Sequence, residues 1–265
     1  MLRVPEPRAC RRVTKRVRAW LALITVLAAF STPVAAQPPV LVVSVAASMH
    51  DALAEIATLY RATTGVAVAL NTAGSNTLAR QIVEGAPSGL FLSADDIQMN
   101  VVEKAGRLVP GTRTRLLTNE LAVVVPADAP ATLTLQQILD GKIARLAMGE
   151  PSAVPAGVYG RRWLEARQAW DRLSAKVIPF PTVRAVLTAV EAGRVDAGIV
   201  YRTDAMTSSV RIMARVSSTD HPSLDIVQPA AVIKGPMEAE ARKFLEFLKT
   251  APARAVFTKR GFGKE

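Results

Sequence analysis

The stretch VSVAASMHDALAEIATLY, Val43–Tyr60, decides how this chain is read. Val40–Ala46 is a continuous, Val-rich apolar run of strand length, the pattern of a strand buried on both faces. From Met49 to Arg61 the apolar residues Leu53, Ile56, Ala57 and Tyr60 fall at the spacing of an amphipathic helix, and Gly65 ends it. Ser48 stands at the join, where the first N–H groups of the helix have no intrahelical partner. NTAGSNTLARQI, Asn71–Ile82, repeats the arrangement with Ser75 at its join. Two such helix ends aimed at one place would hold an anion without any charged side chain.

Working outward, strand and helix patterns keep alternating. Val66–Leu70 reads as a strand, Thr77–Glu84 as a helix, Leu90–Ser93 as a strand and Asp95–Lys104 as a helix. Thr118–Val125 reads as one long β run, and Thr134–Leu139 as a short helix with Thr134 as its cap. Arg145–Met148 predicts a strand, followed by a turn and a helix over Val158–Arg167. Lys176–Ile178 predicts a strand, Val183–Glu191 a helix, Asp196–Tyr201 a strand, and Leu224–Ile233 a β-rich run. Met237–Lys249 and Ala253–Lys259 close the chain as helices broken at Pro252. This alternation predicts an α/β fold of mainly parallel sheets flanked by helices.

With no internal repeat and no low-complexity linker, two lobes would be joined by strands that cross between them. The crossings are expected near Leu117–Leu121 and Asp225–Ala231. That gives residues 37–118 plus 230–265 as the first lobe and 119–229 as the second. In such sheets ligands lie beyond the carboxyl ends of strands. Four helix starts qualify: those at Ser48, Ser75, Ala156 and Val183. Tyr201, at the end of a strand, adds a phenolic hydroxyl.

Residues 1–36 have the layout of a cleavable secretory signal. Seven Lys/Arg residues from Arg3 to Arg18 precede the apolar run Ala19–Phe30 and the cleavage signal Val34-Ala35-Ala36. The apolar run is short of the roughly 20 residues that span a bilayer, so no membrane insertion is expected after cleavage. Arg11-Arg12 lacks the flanking residues of a twin-arginine signal. The chain is formally +11, and the leader, with Glu6 as its one acid, accounts for +6, leaving +5. The remaining basic residues are scattered, without the stripe that a nucleic-acid surface needs. Cys10, the only cysteine, lies in the leader, so the rest of the chain has no disulfide and no thiolate nucleophile.

Catalytic and metal readings fare poorly. Ser48-Met49-His50-Asp51 offers a serine, a base and an acid, but consecutive helical residues point in different directions, whereas triads converge from separate segments. His50 is expected to be a solvated first-turn residue, and His50 with His221 makes no metal site. Asp95 and Asp96 are read as first-turn acids favoured by the helix dipole, Arg80 as a solvated face, and Trp163 and Trp170 as packing. A secreted serine hydrolase using Ser48 stands as the alternative class.

The stretches VAASMHDAL, GSNTLARQI, GAPSGLFLSAD, AVPAGVYG, TVRAVLTAVEAGRVDAGIVYRTDA and the terminal KRGF together resemble the periplasmic molybdate-binding proteins of ABC transporters. The resemblance runs from about Val40 to Phe262. It implies a two-lobed periplasmic binding protein of the type II kind that binds molybdate in its cleft and delivers it to an inner-membrane permease. It further implies a monomer that is not an enzyme and needs no cofactor. Ser48 and Ser75 would bind through hydroxyl and backbone N–H, Ala156 and Val183 through backbone N–H, and Tyr201 through its hydroxyl. Tungstate, sulfate or another tetrahedral oxyanion is the alternative ligand. Met49, Asn76 and Gly89 depart from the commoner pattern, and Asn76 and Gly89 are expected at the pocket rim.

Overall fold

The computed structural model describes residues 40–264; the leader expected at 1–36 lies outside them. Strand β1 (Leu41–Ala46) runs through a short 3-10 turn, Ala47–Met49, into α1 (His50–Thr64). Gly65 ends α1 at φ 77°, a left-handed conformation that suits glycine. Then follow β2 (Val68–Ala73), α2 (Ser75–Val83), β3 (Leu90–Leu92), α3 (Asp96–Lys104) and β4 (Thr114–Asn119). The second lobe is built from β5 (Leu121–Val125), α4 (Leu135–Leu139), β6 (Leu146–Gly149), α5 (Pro155–Ala166) and α6 (Trp170–Leu173). It continues with β7 (Val177–Phe180), α7 (Val183–Glu191), β8 (Ala197–Tyr201), the single turn α8 (Arg202–Ala205) and β9 (Arg211–Val216). The chain returns through β10 (Ile226–Val232) to α9 (Glu238–Leu248), α10 (Ala251–Lys259) and β11 (Gly263–Lys264).

The strands form two mixed sheets, ordered β11-β4-β10-β3-β1-β2 and β7-β6-β8-β5-β9. In the first, β1 pairs in parallel with β2 and β3, while β10 runs antiparallel between β3 and β4. In the second, β6 pairs in parallel with β7 and β8, while β5 is antiparallel to β8 and β9. The parallel pairings are the βαβ units; the antiparallel ones are where the chain crosses. Both crossings join neighbours to neighbours: β4 leads into β5, and β9 leads back into β10.

Three sequence expectations change here. The run Thr118–Val125 is not one strand, because Glu120 separates β4 from β5, which belong to different sheets. The Asn119 side chain makes the break: it accepts from Glu120 N–H at 2.9 Å and donates to Thr203 Oγ1 at 3.0 Å, where a ladder would otherwise continue. The return at position 230 falls inside β10, all seven residues of which lie in the first sheet, so the crossing occupies 217–225. Pro252 starts α10 from its first turn instead of breaking it, as its missing N–H permits there.

A large apolar cluster runs through both sheets and the helices packed on them. A smaller one, with Leu78, Ile82, Phe91, Met99 and Val102, packs α2 and α3 on the first sheet. The C-terminal helices close over α1: Tyr60 meets Phe244 and Phe247 edge-on at 4.9 and 5.1 Å and donates to Glu240 at 2.6 Å. Glu55 pairs with Arg260 at 2.8 Å. The first sheet is thereby finished by the last part of the chain.

Candidate functional site

Ser48 lies in the 3-10 turn that leads into α1, and Ser75 is the first residue of α2. Both follow parallel neighbours, β1 and β2, so the two helices begin side by side at the same edge of the first sheet. On the second lobe, α5 begins with Pro155, which has no N–H; the first backbone donor it can offer is therefore Ala156. The α5 start lies hard against the end of β6, since a Cβ on Gly157 would collide with the Gly149 carbonyl. Helix α7 begins at Val183 behind the cap Thr182, whose Oγ1 accepts from Ala185 N–H at 3.1 Å. That leaves the N–H groups of Val183 and Arg184 without an intrahelical partner. Tyr201 ends β8 and caps α8.

These starts converge. A cavity of about 20 Å³ is lined by Ser48, Ser75, Ala156, Val183 and Tyr201 together, all five residues the sequence singled out. Ala46, Ala47, Gly74 and Ala94 complete the first-lobe wall, and Val154, Pro155 and Thr182 the second-lobe wall. The cavity therefore lies between the lobes, at the carboxyl ends of β1, β2 and β8, as the strand rule for open sheets requires. Among the described residues, no charged one lines it.

Two serine hydroxyls around the cavity keep a proton to spare, while the single Tyr201 proton must turn from a carbonyl to reach a ligand. Ser48 Oγ is buried and has no hydrogen-bond partner. Ser75 Oγ accepts from Ala94 N–H at 2.9 Å, which leaves its own proton free to donate. Tyr201 donates to the Ala94 carbonyl at 3.4 Å, a long bond that spans the two lobes. Burial, with help from nearby Tyr159, Asp95 and Asp204, holds the Tyr201 phenol well above its ordinary pKa, so it remains a donor at neutral pH. The set suits a ligand that only accepts.

Charges stand one layer back. Arg184 lies 2.7 Å from Asp51 on α1 and 2.7 Å from Asp204 on α8, joining the lobes beside the cavity. Asp204 is fully buried, and neither oxygen makes a well-aligned hydrogen bond. Burial pushes its carboxyl up to about 7 despite Arg184. Asp95 is no exposed first-turn acid: it caps α3 by accepting from Gln98 N–H at 2.9 Å, is buried, and is pushed up to about 6. Asp96 does sit in the first turn of α3, paired with Arg113.

The remaining sequence candidates fall into place around this centre. His50 Nδ1 bonds Thr72 Oγ1 at 2.9 Å, and Asp51 faces Arg184, so neither meets the Ser48 hydroxyl. Arg80 is exposed, and Trp163 is buried in the core. Asn76 directly follows Ser75, with Oδ1 buried and unpartnered. Gly89 is off the rim: a Cβ there would meet Leu41 Cδ1 at 2.6 Å and Ala241 Cβ at 3.3 Å, so packing beneath the first sheet accounts for it. Sequence reasoning missed Gly74, Ala94, Thr182, Arg184 and Asp204. Of these, only Thr182, a capping residue directly before a clear helix, carried a local signal.

A family model for bacterial extracellular solute-binding protein matches residues 41–263. The chain is 38% identical over 225 residues to the molybdate-binding protein ModA of Escherichia coli (strain K12), covering 82% of this chain and 86% of that protein. It is 33% identical over 225 residues to ModA of Haemophilus influenzae, covering 82% and 87%. Among solved structures, the Azotobacter vinelandii periplasmic molybdate-binding protein matches with a TM-score of 0.76 at 24% identity, covering 85% of this chain and 99% of that one. The sulfate-binding protein SubI from Mycobacterium tuberculosis H37Rv matches with a TM-score of 0.73 at 16% identity, covering 84% and 86%. At those identities the two structures speak for the two-lobed fold alone.

Proposed function

The chain belongs to the bacterial extracellular solute-binding protein family, and from that premise we propose that it captures molybdate between its lobes and hands it to an ABC permease. One observation carries the ligand assignment. Five residues from separate segments of both lobes surround one small cavity with neutral donors, and one of them, Ser48 Oγ, is buried without a partner. The donors assigned to the ion are the hydroxyls of Ser48, Ser75 and Tyr201 and the backbone N–H groups of Ser48, Ser75, Ala156 and Val183. No covalent step is involved.

A tetrahedral dianion only accepts hydrogen bonds, and a hydrogen bond to a charged group contributes about 1.5–3 kcal/mol. A smaller oxyanion such as sulfate cannot reach both walls at once and forfeits some of these bonds. Tungstate, close to molybdate in size, should compete with it. Selection is then by radius, since a pocket of neutral donors has no surplus charge to attract every anion alike. The protein is proposed to work as a periplasmic monomer once residues 1–36 are removed.

Calorimetric titration with molybdate, tungstate and sulfate tests the reading. Binding of molybdate and tungstate at micromolar protein, with sulfate far weaker, is expected. No molybdate binding under those conditions overturns it.

A further inference from the structure

Gly74 caps α2 directly ahead of Ser75, with φ −64° and ψ 142°. Every L-residue adopts that conformation readily, so the turn itself does not call for glycine. The space around it does. A Cβ at Gly74 would lie 2.9 Å from the carbonyl oxygen of Pro181 and 2.7 Å from Asn76 Oδ1. Asn76 Oδ1 ends a rotatable side chain and has no hydrogen-bond partner, so it can turn aside. Pro181 cannot. It belongs to the other lobe, between β7 and α7, and its neighbours are fixed: Glu150 N–H donates to the Phe180 carbonyl at 2.9 Å, and Thr182 caps α7.

We propose that Gly74 sets how far the two lobes close, and through that the size of oxyanion the cavity accepts. The inference rests on the oxyanion reading above. Gly74 and Ser75 line the cavity from one lobe, and Thr182 and Val183 from the other. The Gly74–Pro181 approach therefore adjoins the donors on both walls. Ordinary C···O contacts are about 3.3–3.6 Å, so a methyl group at Gly74 forces the walls apart by roughly 0.5 Å. N–H···O bonds weaken beyond about 3.2 Å. Donors on opposite walls then fail to reach a small ion together, and the smaller the ion, the greater the loss.

The test is Gly74→Ala in a Cys10→Ser background, with spin labels at Glu84→Cys and Arg194→Cys, exposed positions on the two lobes. Three readouts are expected to move apart. The melting temperature of the ligand-free variant stays at or above wild type, because alanine fits the local backbone and restricts the unfolded chain. Molybdate affinity falls at least tenfold. The inter-label distance, which shortens on ligand addition in wild type, shortens incompletely. A lower melting temperature, or molybdate affinity within twofold of wild type with full shortening, overturns the proposal. So does recovery of wild-type affinity in Gly74→Ala Asn76→Ala, which would place the obstacle at Asn76 within the same lobe. If wild type itself fails to bind molybdate, the ligand assignment fails instead. The closed fraction in ligand-free protein then decides on Gly74: a reduced fraction in Gly74→Ala supports the proposal, and an unchanged one overturns it.

Discussion

Ser48 and Ser75 look alike in sequence but differ in what their hydroxyls do. Ser48 Oγ is buried without a partner, whereas Ser75 Oγ satisfies Ala94 N–H. Ser48→Ala should therefore leave stability unchanged or improve it while weakening molybdate binding about tenfold to a hundredfold, the value of one hydrogen bond to a charged group. Ser75→Ala should weaken binding similarly but also destabilise the ligand-free protein by about 1–3 kcal/mol, because it orphans a buried N–H. Paired calorimetry and denaturant unfolding separate the two. Asp204 gives a pH signature. Its folded pKa, about 7, exceeds the ordinary carboxylate value of 3.8. Between those values the native state holds a proton that the unfolded state has released, so this group makes stability fall as pH rises through the window. Asp204→Asn should flatten that fall, gaining most above pH 7 and least near pH 4, as read by thermal unfolding across pH.

At the scale of the element, a helix start is the unit of recognition. Val183→Ala should bind molybdate nearly as wild type does, because the side chain is not the donor. Val183→Pro should lose affinity about tenfold or more, since proline is tolerated at the first helical position but supplies no N–H there. Thr182 precedes it in extended backbone, φ −146° and ψ 156°, which suits a residue before proline. Unchanged circular dichroism with lost binding is the expected pair of results. The same elements explain what was legible in the sequence. Helix α7 has the bounds its pattern predicts, Val183–Glu191, because a cap and a strong apolar stripe act locally. Strand β9 went unseen: RIMARV carries two arginines, and only Val216 is buried on this edge strand. The division of Thr118–Val125 is set by the Asn119–Thr203 contact, between residues far apart in the chain, and no local pattern encodes it. The five cavity residues were readable because each stands where a strand meets or ends before a helix. Gly74 and Asp204 were not, because their roles depend on what faces them from other segments.

For the whole molecule, opening the cleft must separate Arg184 from Asp51. Both side chains are about a third exposed, 32% and 38%, so the pair is worth little in water. Asp51→Asn should raise the molybdate dissociation rate by no more than about fivefold, and the difference from wild type should shrink near 1 M salt, where screening is over about 3 Å. Stopped-flow displacement at two ionic strengths measures both. A larger, salt-independent effect would mean that Asp51 shapes α1 and the Ser48 turn directly. The crossing at Asn119–Glu120 is held more firmly: Arg202 N–H donates to the Glu120 carbonyl at 2.8 Å, and its side chain lies 3.2 Å from the Glu120 carboxylate. Lobe motion is thus expected to leave this contact intact.

The position of β10 has a consequence for how the protein is made. This strand, near the end of the chain, sits between β3 and β4 in the middle of the first sheet, while the second sheet is complete by Val216. A chain lacking residues 226–232 retains every strand of the second sheet but has an open slot through the centre of the first. The walls that carry Ser48 and Ser75 then belong to an unfinished sheet. Ligand capture is therefore expected only once this one strand is in place, and a chain truncated before it should carry half a binding site.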